Sequence, residues 1–186
     1  MYDETALKKL KRYVRTSPGS IVLGIIFIIL APIVYNGIYD LVYSIVWGLT
    51  FLIIGIVLIG TYFHTSGNLN KKLKKIEQEG NLPLLLNDFM TGGKAFEGRM
   101  ILGQQYIIGK GFGTVLAYYE ISNIYQKINY TNGIENQRSL MAVTTYGKTM
   151  SLCALKLRGK SDNEANHVIS YICSMNPRIT VGYQGK

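Results

Sequence analysis

Hydrophobic residues run almost without interruption twice in the first third of the chain. Ile21 onward reads IVLGIIFIILAPIV, and Val42 onward reads VYSIVWGLTFLIIGIVLIGTYF. Between Pro18 and Phe63 the only formally charged side chain is Asp40. No soluble core needs about 18 or more nearly unbroken apolar residues, whereas the hydrocarbon of a bilayer does. The pattern therefore predicts a transmembrane helical hairpin over residues 18–63 and excludes a soluble enzyme. At about 1.5 Å per residue the first span, from about Pro18 to Tyr35, reaches roughly 27 Å, just enough to cross. Pro18 suits a first helical turn, and Pro32 should kink the span or end it early. Asn36, Gly37 and Asp40 supply turn chemistry, and Tyr35, Tyr39, Tyr43 and Trp47 cluster as amphipathic rings do at a membrane interface.

The two spans also resemble each other. SIVLGIIFIILA from Ser20 and SIVWGLTFLIIG from Ser44 match at six of twelve positions, and the small residues Ser20, Gly24 and Ala31 recur as Ser44, Gly48 and Gly55. Each set falls on one helical face. An antiparallel hairpin turning between Tyr39 and Asp40 brings residues whose numbers sum to 79 to equal depth. Gly24 then meets Gly55 and Ala31 meets Gly48, the close backbone approach by which helices associate in lipid. The competing reading is that apolar spans use few residue types, so the likeness means nothing beyond packing.

Residues 64–92 form a connector. In GNLNKKLKKIEQEG, Leu69, Leu73 and Ile76 recur at spacings of four and three with lysines on the other faces, which predicts an amphipathic helix with a basic side. Such a helix either lies along the inner leaflet, where each lysine gains about 1 kcal/mol from anionic lipid, or presents a solvated face that enforces topology. LPLLLNDFM from Leu82 is a second apolar segment, expected to pack against the β-rich domain C-terminal to it.

From residue 93 the pattern changes to short β-type runs separated by turns. Strands are predicted near Lys94–Glu97, Met100–Gly109, Thr114–Tyr119, Ser122–Tyr130, Asn136–Thr145 and Thr149–Leu157. Asn132-Gly133 is the strongest hairpin signal, and Tyr146-Gly147-Lys148 marks another. Ser161-Asp162-Asn163-Glu164 fits a capping box ahead of a helix whose stripe is Ala165, Val168, Ile169 and Ile172, and Asn176-Pro177 stops it. Six or seven strands closed by one helix in under 100 residues outline a pleckstrin-homology-like barrel.

Charge orients the whole. The chain carries a formal +9. Lys8, Lys9, Lys11, Arg12 and Arg15 precede the first span, Lys71, Lys72, Lys74 and Lys75 follow the second, and the link has none. Positive flanks stay inside, so both termini are expected in the cytoplasm of a two-span membrane protein, with these lysines and arginines at the lipid surface. A cleavable signal peptide is the rival for the first span, but no small-residue cleavage site follows and a second span does.

Candidate chemistry is sparse. Cys153 and Cys173 lack C-x-x-C spacing, and His64 and His167 stand without a second ligand or a nucleophile motif. No paired carboxylates or Ser-His-Asp arrangement appear, so no catalytic residue, metal or cofactor is expected. AVTTYGKT and ALKLRGKS end like a phosphate-binding loop, yet each has Ala at the first glycine, and a strand-like interior leaves no glycine to curl round a phosphate. Gly109-Lys110-Gly111-Phe112-Gly113 lacks the dinucleotide spacing and reads as a loop between strands. Asn129-Tyr130-Thr131 is a sequon by pattern alone. Lys156, Arg158 and Lys160 form the densest basic cluster, either a ligand rim or a solvated one. Without interleaved aromatics the basic charge points to anionic lipid rather than nucleic acid.

The segment from Ala117 to Tyr183 resembles the bacterial pleckstrin-homology-like domains. The resemblance rests on Glu120-Ile121 with Ile124 at a strand start, Gly147-Lys148 in a hairpin, and Asn176, Pro177 and Ile179 closing the last helix. Several such proteins place the domain after a pair of transmembrane helices. The resemblance implies an α+β chain with a cytoplasmic barrel over residues 93–186, following a basic segment over 1–17, the hairpin and the connector. It implies a membrane-anchored module for binding or assembly, in a family mostly without assigned function. The expected role is non-catalytic contact with protein partners, with its own copies or with anionic lipid. The alternative is an accessory subunit of a transporter or other membrane complex, with the hairpin as the interface.

Overall fold

The computed structural model describes residues 3–15, 17–37, 41–155 and 161–182. Among these the chain is α+β, with five α-helices and two four-stranded sheets. It divides into two compact units: Thr16–Asn70, and Met1–Arg15 together with Lys71–Lys186.

The first unit holds α2 (Gly19–Gly37) and most of α3 (Leu41–Gln78). Pro32 lies inside α2, which runs on for five residues beyond it, so the early end expected there does not occur. A helical proline withholds only one N–H, so a long apolar helix can carry it without ending. By length and composition α3, from Val42 to Gln78, passes as a membrane span, and the count rises to two when Glu4–Val14 and Gly19–Tyr35 are taken together. Val22, Leu23, Ile29, Ile33, Val46, Leu49, Ile53, Ile56 and Val57 all stand exposed.

In the second unit α1 (Glu4–Val14) is N-capped by Asp3, whose Oδ1 accepts from the Thr5 N–H at 2.8 Å. The apolar stripe Ala6, Leu10, Val14 is buried, and the Tyr13 hydroxyl donates to the Gly98 carbonyl at 2.8 Å while its ring meets Phe89 edge-on. The basic segment read from the sequence as a stretch ahead of the membrane is therefore a docked helix of this unit. Leu73 and Ile76, near the end of α3, are buried, as is Leu69. That stripe is covered by protein and leaves no apolar face to lie on lipid. Helix α4 (Leu82–Thr91) buries Leu82, Leu85, Leu86 and Asp88.

The strands β1 (Gly93–Ala95), β2 (Met100–Leu102), β3 (Tyr106–Gly109) and β4 (Thr114–Ala117) form one antiparallel sheet in sequence order. The single strand expected over Met100–Gly109 is broken by a turn at Gly103–Gln105. A 3-10 turn, Tyr118–Glu120, leads to β5 (Ile121–Thr131), β6 (Ile134–Thr144) and β7 (Thr149–Leu155) in the second sheet. There β8 (Thr180–Val181) pairs in parallel with β5. Asn132 and Gly133 take positive φ at the β5–β6 hairpin, as their sequence predicts. Helix α5 (Ser161–Met175) ends at Asn176, whose Nδ2 donates to the Tyr118 carbonyl.

The expected closed barrel does not form. No ladder joins the two sheets among the described residues. They meet where β3 and β4 approach β7: Thr114 Oγ1 donates to the Ser151 carbonyl at 2.9 Å, and Gly109 faces the Leu152 carbonyl with no room for a side chain. Between them lies a core of Ile107, Leu116, Ile124, Leu140, Leu152 and Ile172.

Candidate membrane and partner-binding surfaces

The small-residue seam assembles within Thr16–Asn70. A methyl group on Gly55 would stand 2.6 Å from Ile28 Cγ1 and 2.7 Å from the Gly24 carbonyl oxygen. One on Gly24 would stand 2.9 Å from the Gly55 carbonyl, and one on Gly48 would stand 3.4 Å from that of Ala31. Gly24 thus faces Gly55, and Ala31 faces Gly48. Phe27 and Phe51 meet between the two pairs with ring centroids 5.3 Å apart and planes tilted by 50°, and Ser44 is buried.

The basic residues separate into two kinds. On α1, Lys8, Lys9 and Arg12 are exposed and Lys11 and Arg15 half-buried, because the apolar stripe faces inward. On α3, Lys71, Lys74 and Lys75 are exposed, Lys75 lying 3.8 Å from Glu79, a pair too solvated to matter much. Lys72 differs: its ammonium pairs with Glu120 Oε1. Glu120 is buried, and its Oε2 accepts from the Ala117 N–H at 2.9 Å. Lys72 is therefore committed to the domain rather than free for a headgroup. Lys156, Arg158 and Lys160 lie outside the described residues.

Two further carboxylates organise this unit, Asp88 unmarked in the sequence and Glu164 with a partner the sequence does not indicate. Asp88 on α4 accepts from the backbone N–H groups of Gln104, Gln105 and Tyr106 at 3.0, 2.8 and 2.9 Å. That turn needs Gly103, since any side chain there would collide with the Asp88 carboxylate. Glu164, read in the sequence as part of a capping box, accepts from the Phe96 N–H through Oε1.

Beside it lies an apolar groove of about 600 Å³ between α5 and the β1 edge, lined by Gly93, Lys94, Leu102, His167, Val168 and Tyr171 along with Glu164. Hydrogen bonds alternate along antiparallel strands. Gly103 N–H donates to the Tyr106 carbonyl and Lys110 N–H to that of Arg99, so Met100 and Leu102 point their backbone groups at β1. They engage Ala95 and Gly93, which turns the Lys94 N–H and C=O to the open edge. Glu164 already occupies the next outward N–H.

Among the described residues no three His, Cys, Asp or Glu side chains gather as a metal site would require. Cys153 is fully buried and burial pushes its thiol up to about 11, away from nucleophilic character. Burial likewise raises Tyr13 to about 12 and Tyr118 higher still. His64 shares a 2.9 Å contact with Asn68 Nδ2 on its own helix, and His167 is exposed at the groove. Compared with protein families, curated proteins and solved structures, the chain matches none.

Proposed function

We propose that this chain is a non-catalytic, membrane-anchored module whose hairpin holds a pleckstrin-homology-like domain at the inner leaflet for contact with protein partners. One observation carries the reading. Helix α1 packs into the same compact unit as Lys71–Lys186, so the chain leaves that unit before α2 and returns to it along α3. A lone crossing by α3 would put α1 and the domain on opposite sides of the bilayer and tear α1 from its place. With α3 apolar enough to cross, α2 must cross back. The exposed apolar side chains along both helices, too many for a surface in water, support the same conclusion. The positive flanks put the shared side in the cytoplasm.

Fixing the domain at the membrane makes weak contacts effective, because tethering replaces a search through solution. The groove beside β1 suits an extended peptide: the open Lys94 backbone offers strand addition, and apolar lining takes the alternate side chains. The two-sheet arrangement with α5 packed on its core supports the pleckstrin-homology-like assignment without requiring a closed barrel.

Labelling of an introduced Asn36→Cys by an impermeant thiol reagent tests the topology. Reaction in whole cells is expected, and reaction only after permeabilisation overturns it. Mass measurement of the intact protein in mild detergent tests assembly. Co-purification of another membrane protein only when the hairpin is present would favour the accessory-subunit reading instead.

A further inference from the structure

The glycine-rich loop after β3 has no part in the surfaces above, yet it is built unlike an idle turn. Gly111 and Gly113, both at positive φ, flank Phe112, an apolar ring left 42% exposed. The loop is fastened to the last turn of α1: the Gly111 N–H donates to the Tyr13 carbonyl at 3.1 Å and the Gly113 N–H to the Val14 carbonyl at 2.9 Å. These bonds satisfy carbonyls that a helix C-terminus otherwise leaves to water. They also fix the loop beside the point where the chain departs for α2, which starts at Gly19. Five residue steps separate Val14 from Gly19, at most about 18 Å of extended chain. Adding a headgroup layer of roughly 5 to 8 Å on each side of the hydrocarbon leaves the loop within reach of the bilayer surface. Lys110, exposed at the same apex, matches anionic headgroups.

We infer that the Lys110–Gly113 loop is a membrane contact, with the Phe112 ring seated at the headgroup and acyl boundary of the inner leaflet and Lys110 against anionic lipid. The inference rests on the membrane reading above and adds a third point of attachment beside the two helices. An amphipathic body with an aromatic tip prefers that boundary. The contact would hold the domain in one orientation, so that its groove faces a fixed direction along the membrane.

The test uses the full chain, with Cys153→Ala and Cys173→Ser, reconstituted in vesicles of three parts phosphatidylcholine to one part phosphatidylglycerol by composition. An environment-sensitive fluorophore goes on Phe112→Cys, on Leu49→Cys within the apolar stretch, or on Tyr146→Cys at the exposed β6–β7 turn. Lipids spin-labelled high on the acyl chain serve as quenchers. Quenching at positions 49 and 112, with 112 at least about twofold above 146, is expected for a ring at the interface. A label on Lys110→Cys, with Phe112 kept, should be quenched as well and should lose that quenching in Phe112→Ser. If 49 is quenched while 112 and 110 do no better than 146, the loop contact is wrong and the anchor stands. If 49 itself escapes quenching, the membrane reading falls.

Discussion

The two units are inverted relative to each other. Among the described residues between Gly19 and Gly60 the buried ones are Gly24, Ala31, Ser44, Gly48 and Gly55, and most of the exposed ones are large and apolar. In the domain the buried residues are Ile107, Ile124, Leu140, Leu152 and Ile172, and the exposed ones include Lys8, Lys74 and Lys94. On the proposed membrane reading one chain follows opposite rules because its two parts face different solvents. In water, burying a large side chain is the gain. In lipid nothing is gained by hiding Leu from Leu, so close backbone contact decides which faces meet. Polar groups invert too. The domain can bury Asp88 because three backbone N–H groups converge on it, whereas the hairpin carries no charge at all between Gly19 and Gly37.

Asp88→Ala should give the largest effect and tests the water side of this contrast. It strands the N–H groups of Gln104, Gln105 and Tyr106, which no other described group satisfies. Leaving one buried and two part-buried donors unpaired predicts a loss of about 2 to 4 kcal/mol, read as a lower denaturant midpoint of the domain transition in the detergent-held chain. A midpoint within error of the parent would show that the turn is held by packing alone.

Gly55→Leu tests the lipid side. Its side chain has no room beside Ile28 and the Gly24 carbonyl. Overpacking at about 1 to 3 kcal/mol should separate the helices. Oxidative cross-linking in membranes between Ala31→Cys and Gly48→Cys, with the native cysteines replaced, should slow by roughly tenfold. Domain stability should not change. Loss of both together would erase the distinction between the units.

The sequence made the hairpin half of this contrast legible and much of the domain half not. Gly24, Ala31, Gly48 and Gly55 could be paired in advance because a helix maps spacing directly onto a face, and an antiparallel hairpin maps position onto depth. Asn132-Gly133 was readable because a two-residue turn is purely local. Asp88 was not, since its carboxylate serves backbone N–H groups 16 to 18 residues away that no pattern marks, and nothing in the sequence around Glu120 or Glu164 points to Lys72 or Phe96 as a partner. Glu164 and its partner Phe96 are 68 residues apart. Lys72 was indistinguishable from Lys71, Lys74 and Lys75 for the same reason: only folding brings Glu120 to it. The break at Gly103 went unseen because Gly103-Gln104-Gln105 is an ordinary turn made tight by Asp88. The docking of α1 depends on a stripe, Ala6, Leu10 and Val14, that was present but overshadowed by the surrounding lysines.

Lys72→Met sharpens the comparison at the lysine that belongs to the domain. Glu120 keeps its bond from Ala117 but loses its counter-charge in a largely buried setting, predicting a loss of about 1 to 2 kcal/mol. Lys74→Met, on an exposed lysine of the same helix, should leave stability unchanged and weaken only attraction to anionic vesicles. Equal effects from the two would return Lys72 to the lipid-facing set.

The smallest effect concerns alkaline pH, which acts on the domain and spares the hairpin seam. Cys153 titrates near 9 when unfolded and, pushed up by burial, near 11 in the fold. The folded state therefore holds its proton where the unfolded chain has released it. Because stability falls with pH wherever the unfolded state binds fewer protons, this contribution is intact below pH 9 and lost progressively up to about pH 11. Tyr13 adds a second decline from its ordinary value toward about 12. Denaturant midpoints of the domain should drop across this window. In Cys153→Ala the drop between pH 9 and 10 should shrink to the share left by Tyr13 and Tyr106, whose phenols reach half ionisation near pH 10 in the unfolded chain, while the Ala31–Gly48 cross-link should form at any of these pH values once the oxidant is matched. A parent midpoint that stays level to pH 11 would mean that Cys153 meets water in the fold.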